Sequence, residues 1–453
     1  MDEFMTHSSI DDPQGNFSRL TDMQVMRVVL QDHLSKSTGR QVSLDACRMR
    51  FARYRTYLKP QSRKKSVLSV CYEVQIAACS GRPPERQMFS GKAHLNGGSR
   101  SEYEAYVGAA DGSLTREIWH LADLDLVLWR FPLDPRMPQL TILADAQRVS
   151  EFLPFAAMGE STGEIEHIDT QVMAYRPEVR CTARLGLHFA NGRRRDIIAK
   201  SFADESGALV TERIRHLHET PAYRAAGLRV PRPMGYASAI KTVWTEYVGG
   251  ADLTSMMTGP RANALMNDLG GALAALHSGH APVTDQVTRA DLLFEARKKA
   301  QKLGASLPNL RPLLTRLVAD CEVHAGQLGS EHYRPIHGDL HLRQVLVADD
   351  ELVFLDFDEM RLGELEQDLA SLFVDLRHGN PDGAQPLCEH FCRGYVRSAG
   401  RIDSGKLAWY TTIQWLNKAY RTFWQQAPDH AAQVRNIVHC AAGTECQVGS
   451  SPC

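Results

Sequence analysis

Residues 333–370, YRPIHGDLHLRQVLVADDELVFLDFDEMRLGELEQDLA, constrain this chain more than any other stretch. They open with His337-Gly338-Asp339, reach an amide side chain at Gln344, and turn through Ala348-Asp349-Asp350 into an apolar strand, Leu352-Val353-Phe354-Leu355. That strand ends in Asp356-Phe357-Asp358. Carboxylates and an amide, set on a loop and on the end of the next strand, are what phosphoryl transfer from a nucleotide requires. One carboxylate accepts the proton of an incoming hydroxyl, and the others hold Mg2+ against the phosphates. Magnesium is a hard cation that takes oxygen ligands, so Asp and an amide carbonyl suit it where His or Cys would not.

These residues resemble the aminoglycoside phosphotransferase and choline kinase-like family, whose pattern is H-G-D-x-x-x-x-N, an apolar strand, then D-x-D or D-x-E. The resemblance implies an α+β, bilobal protein-kinase-like fold, with an antiparallel β N-lobe for the nucleotide and a helical C-lobe for catalysis and substrate. It implies ATP and Mg2+ as cofactors and a small-molecule hydroxyl as phosphate acceptor. Asp339 would be the catalytic base and Asp356 the Mg2+ ligand. Lys200, at the end of a strand over 195–202, would contact the nucleotide phosphates, with Glu212 on the following helix as its partner. Backbone groups from Glu246 to Val248 would pair with adenine. Gln344 stands where the family has Asn; it keeps the carbonyl as a metal ligand on a stem one methylene longer. Asp368 lies in the segment 363–370, which many members write G-D-P-x-x-D-L-A, and is expected to brace the catalytic loop. His337 would orient that loop and His341 pack beside it. No G-x-G-x-x-G covers the first hairpin, where Pro177-Glu178-Val179-Arg180 reads as an ordinary β-turn. The missing glycines and Gln344 keep a nucleotide-binding pseudokinase open as a second reading, and a Ser or Thr of a peptide is the alternative acceptor.

A length of 453 residues predicts two or three domains. Net charge is -1, from 52 basic and 53 acidic residues, which argues against nucleic acid as a partner. The longest apolar runs are too short to span a bilayer, and the first residues are acidic and polar where a signal peptide would be basic and apolar, so no membrane partner and a cytoplasmic location are expected. Oligomeric state leaves no mark here. Ten cysteines without a CxxC pair read as reduced thiols. Cys388 and Cys392 are four apart on a predicted helix and are expected to pack, since structural zinc takes four ligands.

Along the chain, residues 1–18 are polar and read as disordered. A helix is predicted over 21–36, followed by strands over 50–57, 66–76 and 86–93, with turns at Lys59-Pro60 and Gly81–Pro84. A strand over 124–131 and a short helix over 144–155 follow, and the domain boundary falls near Ser150. Strands over 173–180, 181–189 and 195–202 then repeat the first plan, with Lys92 and Lys200 in matching places. This additional β-rich N-terminal domain therefore reads as a degenerate repeat of the N-lobe sheet. The expected domains are an accessory unit at 19–150, a nucleotide lobe at 151–250 and a helical lobe at 251–453. Within the last, 265–277 is a core helix, 297–327 supplies two helices on the substrate side, and 368–376, 387–396 and 409–424 are amphipathic helices. The tail from 443 is expected to fray.

Overall fold

Asp22 starts the first long helix: its carboxylate accepts from the amides of Gln24 and Val25, satisfying donors that a helix N-terminus leaves open. The computed structural model describes residues 16–56, 66–78, 83–94, 97–109, 115–160, 165–399, 401–427 and 429–443. Expectations placed on residues 1–15, on the Lys59-Pro60 and Gly81-Arg82 turns and on the tail 444–453 lie outside the described residues. A short helix α1 (Asn16–Thr21) precedes α2 (Met23–Thr38), so residues 16–18 are helical where disorder was expected. The Tyr72 hydroxyl holds α1 in place by donating to the Leu20 carbonyl at 2.8 Å.

Two five-stranded antiparallel sheets follow. The first comprises β1 (Leu44–Arg55), β2 (Val67–Ile76), β3 (Glu85–His94), then helix α3 (Ser99–Ala109), β4 (Ile118–Leu121) and β5 (Leu126–Arg130), in the order β1-β2-β3-β5-β4. Three short helices, α4 (Leu140–Leu143), α5 (Ala146–Ser150) and α6 (Phe155–Met158), lead to the second. This comprises β6 (Ile165–Arg176), β7 (Arg180–Phe189), β8 (Arg194–Phe202), helices α7 (Ser206–Glu219) and α8 (Pro221–Ala225), β9 (Pro233–Ala237) and β10 (Thr242–Glu246), in the order β6-β7-β8-β10-β9. The plan is the same strand by strand. In both sheets the fourth and fifth strands are joined by a short turn that closes on a residue with positive φ, Asp125 at 47° and Lys241 at 46°. Lys92 on β3 faces Val127 and Lys200 on β8 faces Val243, so the two lysines occupy one register position.

The element boundaries differ from expectation for local reasons. β1 begins at Leu44 instead of residue 50, and β6 at Ile165 instead of 173. Both are sheet edges, and half of β6 is exposed, on alternate and neighbouring positions alike, which removes the alternation that marks a half-buried strand. Of the helix expected over 144–155 only α5 forms, started by the Asp145 carboxylate through the amides of Gln147 and Arg148; the chain then breaks ahead of Pro154, which disfavours helix at the residue before it and caps α6.

The helical lobe begins with β11 (Ala251–Asp252), α9 (Leu253–Met256), α10 (Ala262–Ser278), α11 (Arg289–Ser306) and α12 (Arg311–Gln327). Strands β12 (Arg334–Ile336), β13 (Val345–Ala348), β14 (Glu351–Phe354) and β15 (Arg361–Gly363) follow, then α13 (Glu366–Gly379), α14 (Ala384–Ala399), α15 (Ser404–Gln425) and α16 (His430–Ala441). β13 and β14 form a hairpin whose turn puts Asp349 and Asp350 at φ 49° and 64°, the pair of left-handed residues a two-residue hairpin turn needs. α10 and α14 cross with their backbones touching. A Cβ on Gly394 would stand 1.8 Å from the Asn267 carbonyl oxygen, and one on Gly270 would stand 2.2 Å from that of Phe391. Glu364, 1% exposed, accepts from Arg289 at 2.6 Å, from the Tyr410 hydroxyl at 3.0 Å and from Lys406, fastening α11 and α15 to the start of α13. Among the described residues no helix is long and apolar enough to cross a membrane.

The first sheet touches both other parts. Leu68, Val70, Tyr72 and Val74 of β2 are fully buried, in one core with α2 and residues of α11, α12, α15 and α16. Phe51 and Tyr54 of β1 meet Trp424 and Phe423 of α15, with ring centroids 6.5 and 5.9 Å apart. On its other side, Cys71 joins residues of α4, α5 and α6 in a core with β7, β8 and β10. The two sheets are also tied by charge. Lys92 lies 2.9 Å from Glu102 on α3 and 2.6 Å from Glu178 in the β6–β7 turn, and Tyr106 stands 2.7 Å from the Glu178 carboxylate. The Glu178 amide donates to Asp134 at 2.8 Å. Lys92→Met would leave Glu178 without its cation and Glu102 with His94 as its basic partner in a mostly buried site, so it should destabilise the fold by about 3 kcal/mol in urea denaturation. Lys36→Met, which breaks an exposed pair with Asp32, should shift the midpoint little.

Candidate active site

Asp368 shapes the loop that carries Asp339. It lies in the first turn of α13, fully buried, and accepts from the amides of His337 at 2.6 Å and Gly338 at 2.9 Å. His277 approaches the same carboxylate at 3.1 Å. Burial would raise the Asp368 carboxyl, but the His277 contact, the neighbouring histidine charges and the Gly338 amide hold it below the usual range. His337 donates from Nε2 to the Leu355 carbonyl at 2.9 Å, linking the loop to the end of β14. Gly338 has φ 86°, and a Cβ there would stand 2.1 Å from the Glu359 carbonyl oxygen. Only glycine fits this turn.

Beyond the turn, Asp339 is partly exposed, and its carboxylate accepts from the Arg421 guanidinium of α15 at 3.0 Å. Across from it, the chain leaves β14 with Asp356 in the left-handed region, φ 63° and ψ 60°, a conformation that non-glycine residues hold only where their surroundings enforce it. The enforcement is electrostatic. Lys200 lies 2.6 Å from Asp356 and 2.6 Å from Asp358, and Arg180, first residue of β7, bridges the same two carboxylates. Burial would raise Asp356, but Lys200 and Arg180 hold it well below the usual carboxylate range. Asp358 is raised, by burial and by the charge of Asp356.

Gln344 completes the group. Its Nε2 donates to Asp356 at 3.4 Å, and its Oε1 is buried without a hydrogen-bond partner. An orphaned amide carbonyl beside a carboxylate is a donor set that suits Mg2+. No group of three or more His, Cys, Asp or Glu side chains gathers into a metal cage among the described residues. A cation here would therefore rest on Asp356, Gln344 and the phosphates themselves, as Mg2+ in nucleotide sites does.

Glu212 is not part of this group. It is exposed, as are Glu205 and Glu219, because Val210, Ile214 and Leu217 take the inner face of α7. The tie from α7 comes from Arg213, buried at 3% exposure, which donates to the carbonyls of Phe357 and Asp358 at 3.3 and 2.7 Å. Glu246 ends β10 with its amide committed to the Arg232 carbonyl at 3.0 Å and its carboxylate accepting from the Arg232 amide at 2.9 Å. Its N–H is thus unavailable to a base, and Val248 lies just past the sheet. His341 is half-buried, and burial lowers its pKa. Cys388 is buried in α14 and Cys392 half-buried.

The structure therefore brings Lys200, Gln344 and Asp356 into direct contact and sets Asp339 on the adjoining loop. Sequence reasoning had passed over Asp358, Arg180, Arg213 and Arg421. The repeated acid of D-x-D could have pointed to Asp358, and Arg180 stood in a turn considered only for its backbone. Arg421 and Arg213 carry no local signal.

A family model described as the phosphotransferase enzyme family matches residues 189–410, which include Lys200, the His337–Asp339 loop, Gln344 and Asp356. No curated protein matches the chain. Among solved structures, the chain is similar to choline kinase LicA from Streptococcus pneumoniae, at 14% identity over 66% of this chain and 97% of that one, with a TM-score of 0.46. It is similar to macrolide 2'-phosphotransferase MphH from Brachybacterium faecium, at 16% identity over 64% and 98% of the two chains and a TM-score of 0.43. It is also similar to spectinomycin phosphotransferase APH(9)-Ia, in an AMP-bound complex, at 15% identity over 66% and 99% with a TM-score of 0.46. Residues 189–410, which run from the end of β7 through β8 and the His337–Asp339 loop into α15, match the phosphotransferase enzyme family.

Proposed function

We propose that this protein transfers the γ-phosphoryl group of ATP, with Mg2+, to a hydroxyl of a small molecule. The observation that carries the proposal is the buried, unpartnered Oε1 of Gln344 beside Asp356, with Lys200 on the same carboxylate. In this reading, residues 19–150 are an accessory domain, 151–250 the nucleotide lobe and 251–453 the catalytic and substrate lobe. Asp356 and Gln344 would hold Mg2+, whose charge offsets that of the phosphates. Lys200 and Arg180 turn from the carboxylates toward phosphate oxygens, as an ammonium and a guanidinium suited to them. With the Glu246 amide committed to Arg232, the backbone beyond it as far as Val248 would receive the adenine.

Asp339 takes the proton of the acceptor hydroxyl on its carboxylate and points the oxygen at the phosphorus. Arg421, which donates to that carboxylate, orients it for the incoming hydroxyl. His337, Gly338 and Asp368 hold Asp339 at its position and touch neither reactant, so they are positioning residues.

Asp339→Asn should lower turnover, followed as ADP release, by a factor on the order of 100 or more while leaving AMP-PNP affinity nearly unchanged in calorimetry. Turnover at the parent rate would remove Asp339 from the role of base. Gln344→Leu should raise the Mg2+ concentration for half-maximal turnover about tenfold or more, since even outer-shell changes at metal sites cost about that much. An unchanged Mg2+ titration would exclude Gln344 as a ligand.

A further inference from the structure

On the basis of the phosphotransferase reading, we infer that the acceptor carries an anionic oxygen group, a carboxylate or a phosphate ester, beside the hydroxyl that is phosphorylated. Its subsite is a cluster of cations built from β1, β6, α11 and α15. α15 presents Asn417, Tyr420, Arg421 and Trp424 at helical spacing on one face. Arg421 reaches Asp339 at 3.0 Å, and Lys299 of α11 reaches the Asn417 side chain at 2.7 Å. From the first sheet, the Arg53 guanidinium lies 5.4 Å from the Trp424 ring centroid. Arg53, Lys302, Tyr420 and Trp424 line a cavity of about 160 Å³. Arg176, the last residue of β6, stands near enough to Arg53 and Arg421 to feel their charge.

Two of these cations lack a counter-charge. Neither Arg176 nor Lys299 has a carboxylate within ion-pair distance among the described residues, and the Nε of Arg176 is buried with no hydrogen-bond partner. Burial lowers the Arg176 pKa to about 10, and Arg180, Arg53 and Arg421 push it the same way against Asp339. Lys299 is lowered by burial too, with Arg421, Lys298 and Arg361 adding to it against Glu295. A buried donor without an acceptor, among like charges, is a state that an incoming anion relieves and an incoming cation worsens. The nucleotide does not supply that anion by the same contacts, because Lys200 and Arg180 already stand on Asp356 and Asp358 on its side of the loop. Arg53, Lys299 and Arg421 come from elements that contribute nothing to that side.

Calorimetry on the full chain tests this with matched probes. AMP-PNP with Mg2+ is titrated first, and its binding reports on the phosphotransferase reading alone. Gluconate and sorbitol, then glucose 6-phosphate and glucose, are titrated onto the saturated protein. At least one anionic probe should bind tenfold or more tightly than its uncharged counterpart; gluconate alone points to a carboxylate, glucose 6-phosphate alone to a phosphate ester. Arg176→Gln and Lys299→Gln should each reduce that preference at least fivefold without changing AMP-PNP affinity, and Arg176→Lys and Lys299→Arg should retain most of it. Equal affinity for charged and uncharged probes, or a preference that survives both glutamine substitutions, overturns the inference. If AMP-PNP fails to bind, the phosphotransferase reading falls, and the same four probes on the nucleotide-free protein still decide the anion subsite.

Discussion

Two carboxylates with a single residue between them, Asp356 and Asp358, cannot share a half-buried crevice unaided. At a separation of about 4 Å and an effective dielectric near 20, two like charges repel by about 4 kcal/mol. Lys200 and Arg180, from adjacent strands of the second sheet, each contact both acids and cancel that repulsion. The cancellation fixes how the sheet sits over the loop. Arg213 adds a second tie by holding the carbonyls of residues 357 and 358 from α7, and Asp368 secures the opposite side of the loop through two backbone amides. Each tie joins elements far apart in the chain, so the site exists only in the folded protein.

The grouping of the loop residues was legible because it is local. His337, Asp339, Gln344 and Asp356 fall within 20 residues, and a strand followed by two acids announces itself without tertiary context. The bracing role of Asp368 could be anticipated on the same ground. Glu212 shows the limit. Glu205, Glu212 and Glu219 recur every seven residues and so share one side of the helix, but that spacing does not say which side turns inward; Val210, Ile214 and Leu217 decide it. Arg421 lies 82 residues from Asp339, and no pattern in α15 sets it apart from other surface arginines. Helix α3 escaped notice because its inward contacts are made by Tyr103, Tyr106 and Glu102 with Val107 as the one aliphatic residue, too little to mark a stripe. The four residues of β4 are too few to show alternation.

The repeated sheets have diverged at their shared lysine. In the first sheet Lys92 meets Glu102 on the helix that follows its strand, whereas α7 offers Lys200 no carboxylate and Lys200 meets the acids of the loop. The first lysine is thereby committed to protein groups. One of these, Glu178, sits in the turn between β6 and β7, held by Lys92, Tyr106 and Asp134. That turn lacks the glycines which would let it move freely, and it ends on Arg180. Side chains of the first sheet and of the segment after it thus stiffen the turn from outside.

The first sheet shares one core with α11, α12, α15 and α16 and another with the strands of the second sheet. Mechanically, the connection through residues 247–250 is one side of a triangle and not a free pivot. Parting the two lobes would strip apolar surface from one of the two packed sides, so ligand entry and exit here must rely on side chains and short turns rather than on the swing of a whole lobe.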